Sequence, residues 1–175
     1  MIRSARLAAS AIFVVAIATT ANGGDAVSMN DVIELGQERW TPNTSVPHGM
    51  DLMMIYGHPS KPGAFIFRAK VPPGYRLPPH VHPDARVVTV LQGTYYSAIG
   101  EEFDESKLQA FPPGSFYSTP ANTPHFAATR GETVIIQEMG FGPGSGISYV
   151  HPADDPRPKK GLNIIIMRAR MPTKL

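Results

Sequence analysis

The chain has 175 residues, 42% of them hydrophobic and 17% charged, which suits one folded domain with its own core and excludes a disordered chain. Sixteen basic against 14 acidic residues leave a net charge of only +2. There is no cysteine, which excludes disulfides, thiolate metal sites and anchoring through a lipidated cysteine.

At the start, Arg3 and Arg6 precede an uncharged apolar stretch from Leu7 to Ala18, and small residues around Ala21-Asn22-Gly23 follow. These are the three parts of a secretory signal peptide. The stretch is too short to span a bilayer comfortably, and nothing later is apolar enough to do so. Residues 1–23 are therefore expected to be a Sec-type leader, since the arginines are not adjacent as a twin-arginine signal requires. The mature protein is expected to be periplasmic or secreted, with no membrane span. Cleavage would remove two arginines and leave 14 basic and 14 acidic residues.

Residues 24–60 read as a polar lead-in that packs on the body of the protein. It holds a short helix around Asp31 to Glu38, and Trp40 is placed at the mouth of the body. Strand-like runs follow at Leu52 to Tyr56, Ala64 to Val71, Arg86 to Leu91, Thr94 to Ile99, Ser115 to Thr119, Phe126 to Thr129 and Thr133 to Met139. Each is rich in β-branched or aromatic residues and is bounded by Gly, Pro, Asn or Asp. Gly93 sits where a hairpin turn would, the polar stretch Gly100 to Pro113 reads as a turn or short helix linking two halves of the body, and Gly140 to Gly146 reads as a turn. Ile164 to Met167 could add an edge strand. No internal repeat of useful length appears. Many short strands without βαβ alternation indicate a sandwich or small barrel over residues 61–156. Periodicity does not choose between an immunoglobulin-like sandwich, a lipocalin and a jelly roll.

The last stretch, residues 157–175, carries Arg157, Lys159, Lys160, Arg168, Arg170 and Lys174 and no acid. No aromatic residues interleave with these charges, so no nucleic-acid partner is expected. The basic extension is expected to dock on the acidic body of its own chain or of a sister subunit.

The sharpest local feature is Pro79-His80-Val81-His82-Pro83. On an extended segment residues i and i+2 share a face, so His80 and His82 project together. A third histidine, His125, opens another strand-like run after Asn122-Thr123-Pro124. Imidazole suits iron, nickel, copper or zinc, and three protein nitrogens with open positions are what a catalytic metal needs. A lone His-x-His is equally an ordinary polar pair beside prolines, so the flanking spacing decides.

That spacing resembles the cupin family. Its first motif is a glycine, five residues, His-x-His, three or four residues, a glutamate, six residues and a glycine. The chain has Gly74, Tyr75 to Pro79, His80-Val81-His82 and, at the end, Gly93. The second motif is a glycine, five residues, Pro-x-Gly, two residues and a histidine, matched by Gly114, Pro120-Ala121-Asn122 and His125. The resemblance implies an all-β double-stranded β-helix, a jelly-roll barrel with a metal inside, and a homodimer through exchanged edge strands. It implies His80, His82 and His125 as ligands of one divalent ion per chain. Iron is favoured, and zinc, nickel, manganese and copper are alternatives.

Two positions depart from the pattern. Asn122 stands for a glycine, a mild change because Asn tolerates left-handed backbone. Arg86 stands at the place of the usual metal-binding glutamate, and a guanidinium cannot ligate a metal. Three resolutions are open. Arg86 could be a catalytic-site residue that clamps a carboxylate-bearing substrate beside a three-histidine metal. Glu138 could supply the missing oxygen ligand or pair with Arg86. Or the site could be degenerate and empty.

The expected function is that of a metal-dependent, dioxygenase-like enzyme on a small anionic organic molecule. The alternatives are a cupin isomerase or lyase, a non-catalytic periplasmic module that binds a small ligand or metal, and a purely structural barrel. His48, His58 and His151 are expected in surface loops. Of Tyr95 and Tyr96 only one can line the interior, and Tyr117 is a further lining candidate. Met53, Met54 and Met139 are expected as core filler. No nucleophile elbow, phosphate loop or dinucleotide fingerprint is present.

Overall fold

Runs of Val, Ile, Tyr and Phe punctuated by turn residues become short strands whose alternate side chains fill one interior. In a computed structural model of the chain, residues 33, 37–144 and 146–158 are described, and they form eleven strands. These are β1 (Thr41–Pro42), β2 (Asp51–Tyr56), β3 (Gly63–Val71), β4 (Arg76–Val81), β5 (Arg86–Gln92), β6 (Tyr95–Ile99), β7 (Gln109–Phe111), β8 (Phe116–Thr119), β9 (His125–Ala128), β10 (Val134–Gly142) and β11 (Ser148–Tyr149). One antiparallel sheet has the order β1-β2-β3-β10-β5-β8, and the other has the order β11-β4-β9-β6-β7. This is the all-β double-stranded β-helix. Ala69, Val71, Val88, Val90, Val134 and Ile136 from the first sheet meet Leu77, Tyr95 and Ala127 from the second in the core.

Several elements differ from expectation for identifiable reasons. Gly93 does not close a hairpin, because β5 belongs to the first sheet and β6 to the second. It turns the chain from one sheet to the other at φ 69°, where a Cβ would stand 2.8 Å from the Thr133 carbonyl oxygen. Strand β4 goes unread because Pro78 and Pro79 sit inside it. Prolines cannot donate to a ladder, and the β4–β9 register slips between Leu77 and His80. The link after Gly100 has the expected short helix, the one-turn 3₁₀ helix Glu105–Lys107, and adds the short strand β7, which was not expected. β10 runs on to Gly142, so the glycine-rich stretch turns only after that residue. The expected leader, most of the helix expected at Asp31–Glu38, the strand expected at Ile164–Met167 and most of the basic extension fall outside the described residues. Among the described residues no helix is long and apolar enough to cross a membrane.

Strand β9 is buried on both faces. His125 and Ala127 point to the interior, and Phe126, fully buried, packs outward against Phe103 with ring centroids 5.0 Å apart. The excursion after Gly100 thus covers the back of the strand that carries His125. Phe126→Ala is expected to cost about 3–5 kcal/mol of stability, the usual loss for emptying a phenylalanine site. Denaturant titration checks this, and a loss below about 1 kcal/mol would mean that the outer layer is not packed as described.

Candidate metal centre

β4 and β9 are neighbours, and their register sets His80 directly opposite His125. Their ring centroids are 4.1 Å apart, and His82, two residues along, lies 5.0 Å from His80 and 5.3 Å from His125. One ring nitrogen from each of the three lies within 4.8 Å of the others.

Backbone carbonyls determine which nitrogens these are. His80 Nδ1 lies 2.8 Å from the Pro78 oxygen, His125 Nδ1 lies 2.9 Å from the Thr123 oxygen, and His82 Nδ1 lies 2.6 Å from the Gly146 oxygen. A carbonyl only accepts, so each Nδ1 carries the proton and donates it, and each Nε2 keeps a bare lone pair. Charge is disfavoured on all three rings. Burial, then His125 and His82, hold His80 well below the usual histidine value; burial and then Arg86 bring His82 down to about 4; burial lowers His125. Neutral imidazoles with oriented lone pairs are the form that binds a borderline divalent cation, so the donor set fits a metal.

Arg86 and Glu138 project inward from the adjacent strands β5 and β10 of the opposite sheet. Glu138 is not in the histidine group. Its carboxylate pairs with Arg86 Nη1, while Arg86 Nε lies 3.1 Å from Asp84 Oδ2. The Phe65 ring lies under the guanidinium, 5.0 Å from Cζ to centroid. Asp84 also accepts from the Phe141 backbone N–H at 2.8 Å. Arg86 is only 4% exposed, and the carboxylate side chains are 12% exposed. Gly140 makes room for this cluster, since a Cβ there would come under 3.0 Å from Asp84, Phe65 and Arg86 atoms. Burial raises the Glu138 carboxyl while Arg86 pulls it down.

The histidines, Arg86 and Glu138 share one cavity of about 280 Å³, just below the usual range for small-molecule sites of about 300–1,000 Å³. Its remaining wall is mostly apolar. Part of it comes from the loop between β1 and β2, where Val46 and Met50 turn inward. That loop is held by two phenols: Tyr75 Oη donates to the Pro47 carbonyl at 2.6 Å and Tyr149 Oη to the Ser45 carbonyl at 3.0 Å.

With this geometry established, comparison with known proteins places the chain. The Cupin domain family model matches residues 67–136, which span β3 into β10 and include all three histidines. The chain carries a cupin domain. No curated protein matches it. Among solved structures, this cupin superposes on the polyketide cyclase RemF from Streptomyces resistomycificus with a TM-score of 0.61 and 17% identity, covering 73% of this chain and 90% of that one. A putative acetylacetone dioxygenase from Methylibium petroleiphilum PM1 gives 0.55 and 14% identity, with 76% and 89% covered. An RmlC-like cupin from Ralstonia eutropha JMP134 gives 0.54 and 19% identity, with 71% and 74% covered. At such identities the likeness is one of fold.

The other candidate residues of this cupin are dispersed. His48 and His58 are exposed, and His151 is half-buried with Nε2 3.1 Å from the Glu101 carbonyl and 3.2 Å from the Glu102 carboxylate. Tyr95 and Tyr117 line the cavity and Tyr96 does not. Two contributors escape sequence reasoning. Asp84 is signalled only weakly, by its i, i+2 relation to Arg86 on extended chain. Gly146, whose carbonyl orients His82, carries no local signal at all.

Proposed function

We propose that this cupin is a metal-dependent enzyme acting on a small organic molecule, with one divalent ion per chain held by His80, His82 and His125. The observation that carries the reading is the set of three convergent imidazoles, two buried and one half-buried, each with Nδ1 donated to a carbonyl and Nε2 bare. The names of two similar folds, a polyketide cyclase and a putative acetylacetone dioxygenase, are in keeping with small-molecule chemistry. We favour iron and dioxygenase-like oxidoreductase chemistry; the leader-like pattern of Arg3, Arg6 and the apolar Leu7 to Ala18 supports a periplasmic or secreted setting.

A divalent ion at this position supplies Lewis acidity and, where it is redox-active, a route to oxygen chemistry. The chain's own residues do the rest. The three carbonyls orient the imidazoles, and burial keeps them neutral. The apolar wall with Val46, Met50, Val88 and Ile136 limits water around a bound molecule. Arg86 holds Glu138 against the same cavity, and Asp84 holds Arg86.

The test is the metal content of protein purified without an affinity tag or chelator. About one equivalent per chain is expected. Iron would be followed by oxygen uptake with small carbonyl compounds, and zinc, nickel or manganese would direct the search to isomerase and lyase reactions. A chain that takes up none of these metals or copper after loading would refute the reading.

A further inference from the structure

Arg86 faces a substrate cavity, where a guanidinium commonly marks a carboxylate site. Its surroundings here favour the opposite. Nε meets Asp84 and Nη1 meets Glu138, so two carboxylates of the chain already surround the one cation. Among the described residues lining the cavity, Arg86 is the only Lys or Arg side chain and Glu138 the only Asp or Glu. A guest carboxylate would have to displace one of these partners or lie buried beside them, and burial without a partner strongly disfavours a charge. The wall offers Leu52, Val88 and Ile136 instead. It also offers polar handles, of which the Tyr95 phenol is one. Tyr95 is 4% exposed, lines the cavity, and makes no side-chain hydrogen bond among the described residues. Its phenol is therefore a donor for an oxygen of the guest.

The geometry points to a compact, uncharged and largely apolar substrate carrying a hydrogen-bond-accepting oxygen, with Arg86 serving to hold Glu138 and Asp84 and not to bind a carboxylate. The inference rests on the cavity being the substrate site proposed above, and it names the class of molecule admitted. The size agrees. A cavity of about 150 Å³ accommodates benzene, so about 280 Å³ accommodates one substituted ring or a chain of similar bulk.

Acetophenone and benzoate share one heavy-atom skeleton and differ in charge, which makes them the probes. Calorimetric titration of chelator-treated protein at neutral pH should show acetophenone binding at least tenfold more tightly than benzoate. Glu138→Gln removes one of the two carboxylates, so it should shift the preference toward benzoate by at least tenfold. Asp84→Asn should act in the same direction and provides a second route if the first variant folds poorly. Tyr95→Phe should weaken acetophenone several-fold and leave benzoate unchanged. Benzoate binding as tightly as acetophenone to the wild type would overturn the inference. So would binding of neither at millimolar concentration, or an unchanged preference in both carboxamide variants. Because the measurement is made without metal, a failure of the metal reading leaves it intact, and the two failures are distinguishable.

Discussion

Replacing His80, His82 or His125 singly by alanine is expected to weaken metal binding by more than about a hundredfold, while His58→Ala and His151→Ala leave it unchanged. The difference follows from geometry. Only the first three bring a ring nitrogen within 4.8 Å of one another, and each already donates its other nitrogen to a carbonyl. Loss of a mere outer partner of a ligand commonly costs 10–100-fold in affinity, so loss of a ligand should cost more. His58 instead turns its Nδ1 to the Ser60 hydroxyl at 2.7 Å in an exposed loop, and His151 pairs with the Glu101–Glu102 segment. Competition titration against a chromogenic chelator reads the affinities, and melting of the metal-free variants checks that the fold persists. Equal losses at all five positions would mean that binding is adventitious. Unchanged affinity at the first three would remove the site.

Arg86→Met should cost about 3–5 kcal/mol of stability in metal-free protein, as much as emptying a core site. It leaves Asp84 and Glu138 in place without the cation they share, each with a side chain only 12% exposed. For a domain of this size the melting temperature should fall by more than about 10 °C. The loss should depend on pH in a definite sense. Burial raises the Glu138 carboxyl, and removal of Arg86 raises it further, so the folded variant holds a proton that the unfolded chain releases. Stability of the variant relative to wild type should therefore be better at about pH 5 than at about pH 8. Adding Glu138→Gln and Asp84→Asn to Arg86→Met should recover most of the loss, because charge burial and not packing is its cause. A melting temperature unchanged by Arg86→Met would show that the ion pairs contribute nothing.

The sequence shows the strands better than it shows their partners. Alternation along Arg86, Val88 and Val90 marks the inward face of β5, and the same rule sends Tyr95 in and Tyr96 out. Nothing in that period says which sheet a strand joins, and this is why Gly93 passes for a hairpin. Pro78 and Pro79 hide β4 because propensity counts against a strand whose pairing tolerates a slip. At the site, the motif from Gly74 to His125 singles out the three histidines that the structure gathers. The Arg86 cluster is harder to read. Its members lie 54 residues apart, and the inward approach of Glu138 to Arg86 depends on β10 lying beside β5. Alone, Arg86 reads as a hook for an anion; with its neighbours in place it reads as a cation already matched.

The loop between β1 and β2 has a consequence for how such a pocket diversifies. The three histidines lie inside residues 67–136, the stretch that matches the family, while Val46, Met50 and Leu52 come before it and Ile147 and the Tyr149 latch come after it. The metal ligands thus lie in one part of the chain, while a share of the pocket wall comes from the segments that flank it. Changes in the flanking segments could retune what enters without touching the metal ligands, and two proteins with the same three histidines could serve unrelated substrates. The Gly146 carbonyl is the exception: it lies in a flanking segment yet orients His82, so drift in that segment acts on both properties at once.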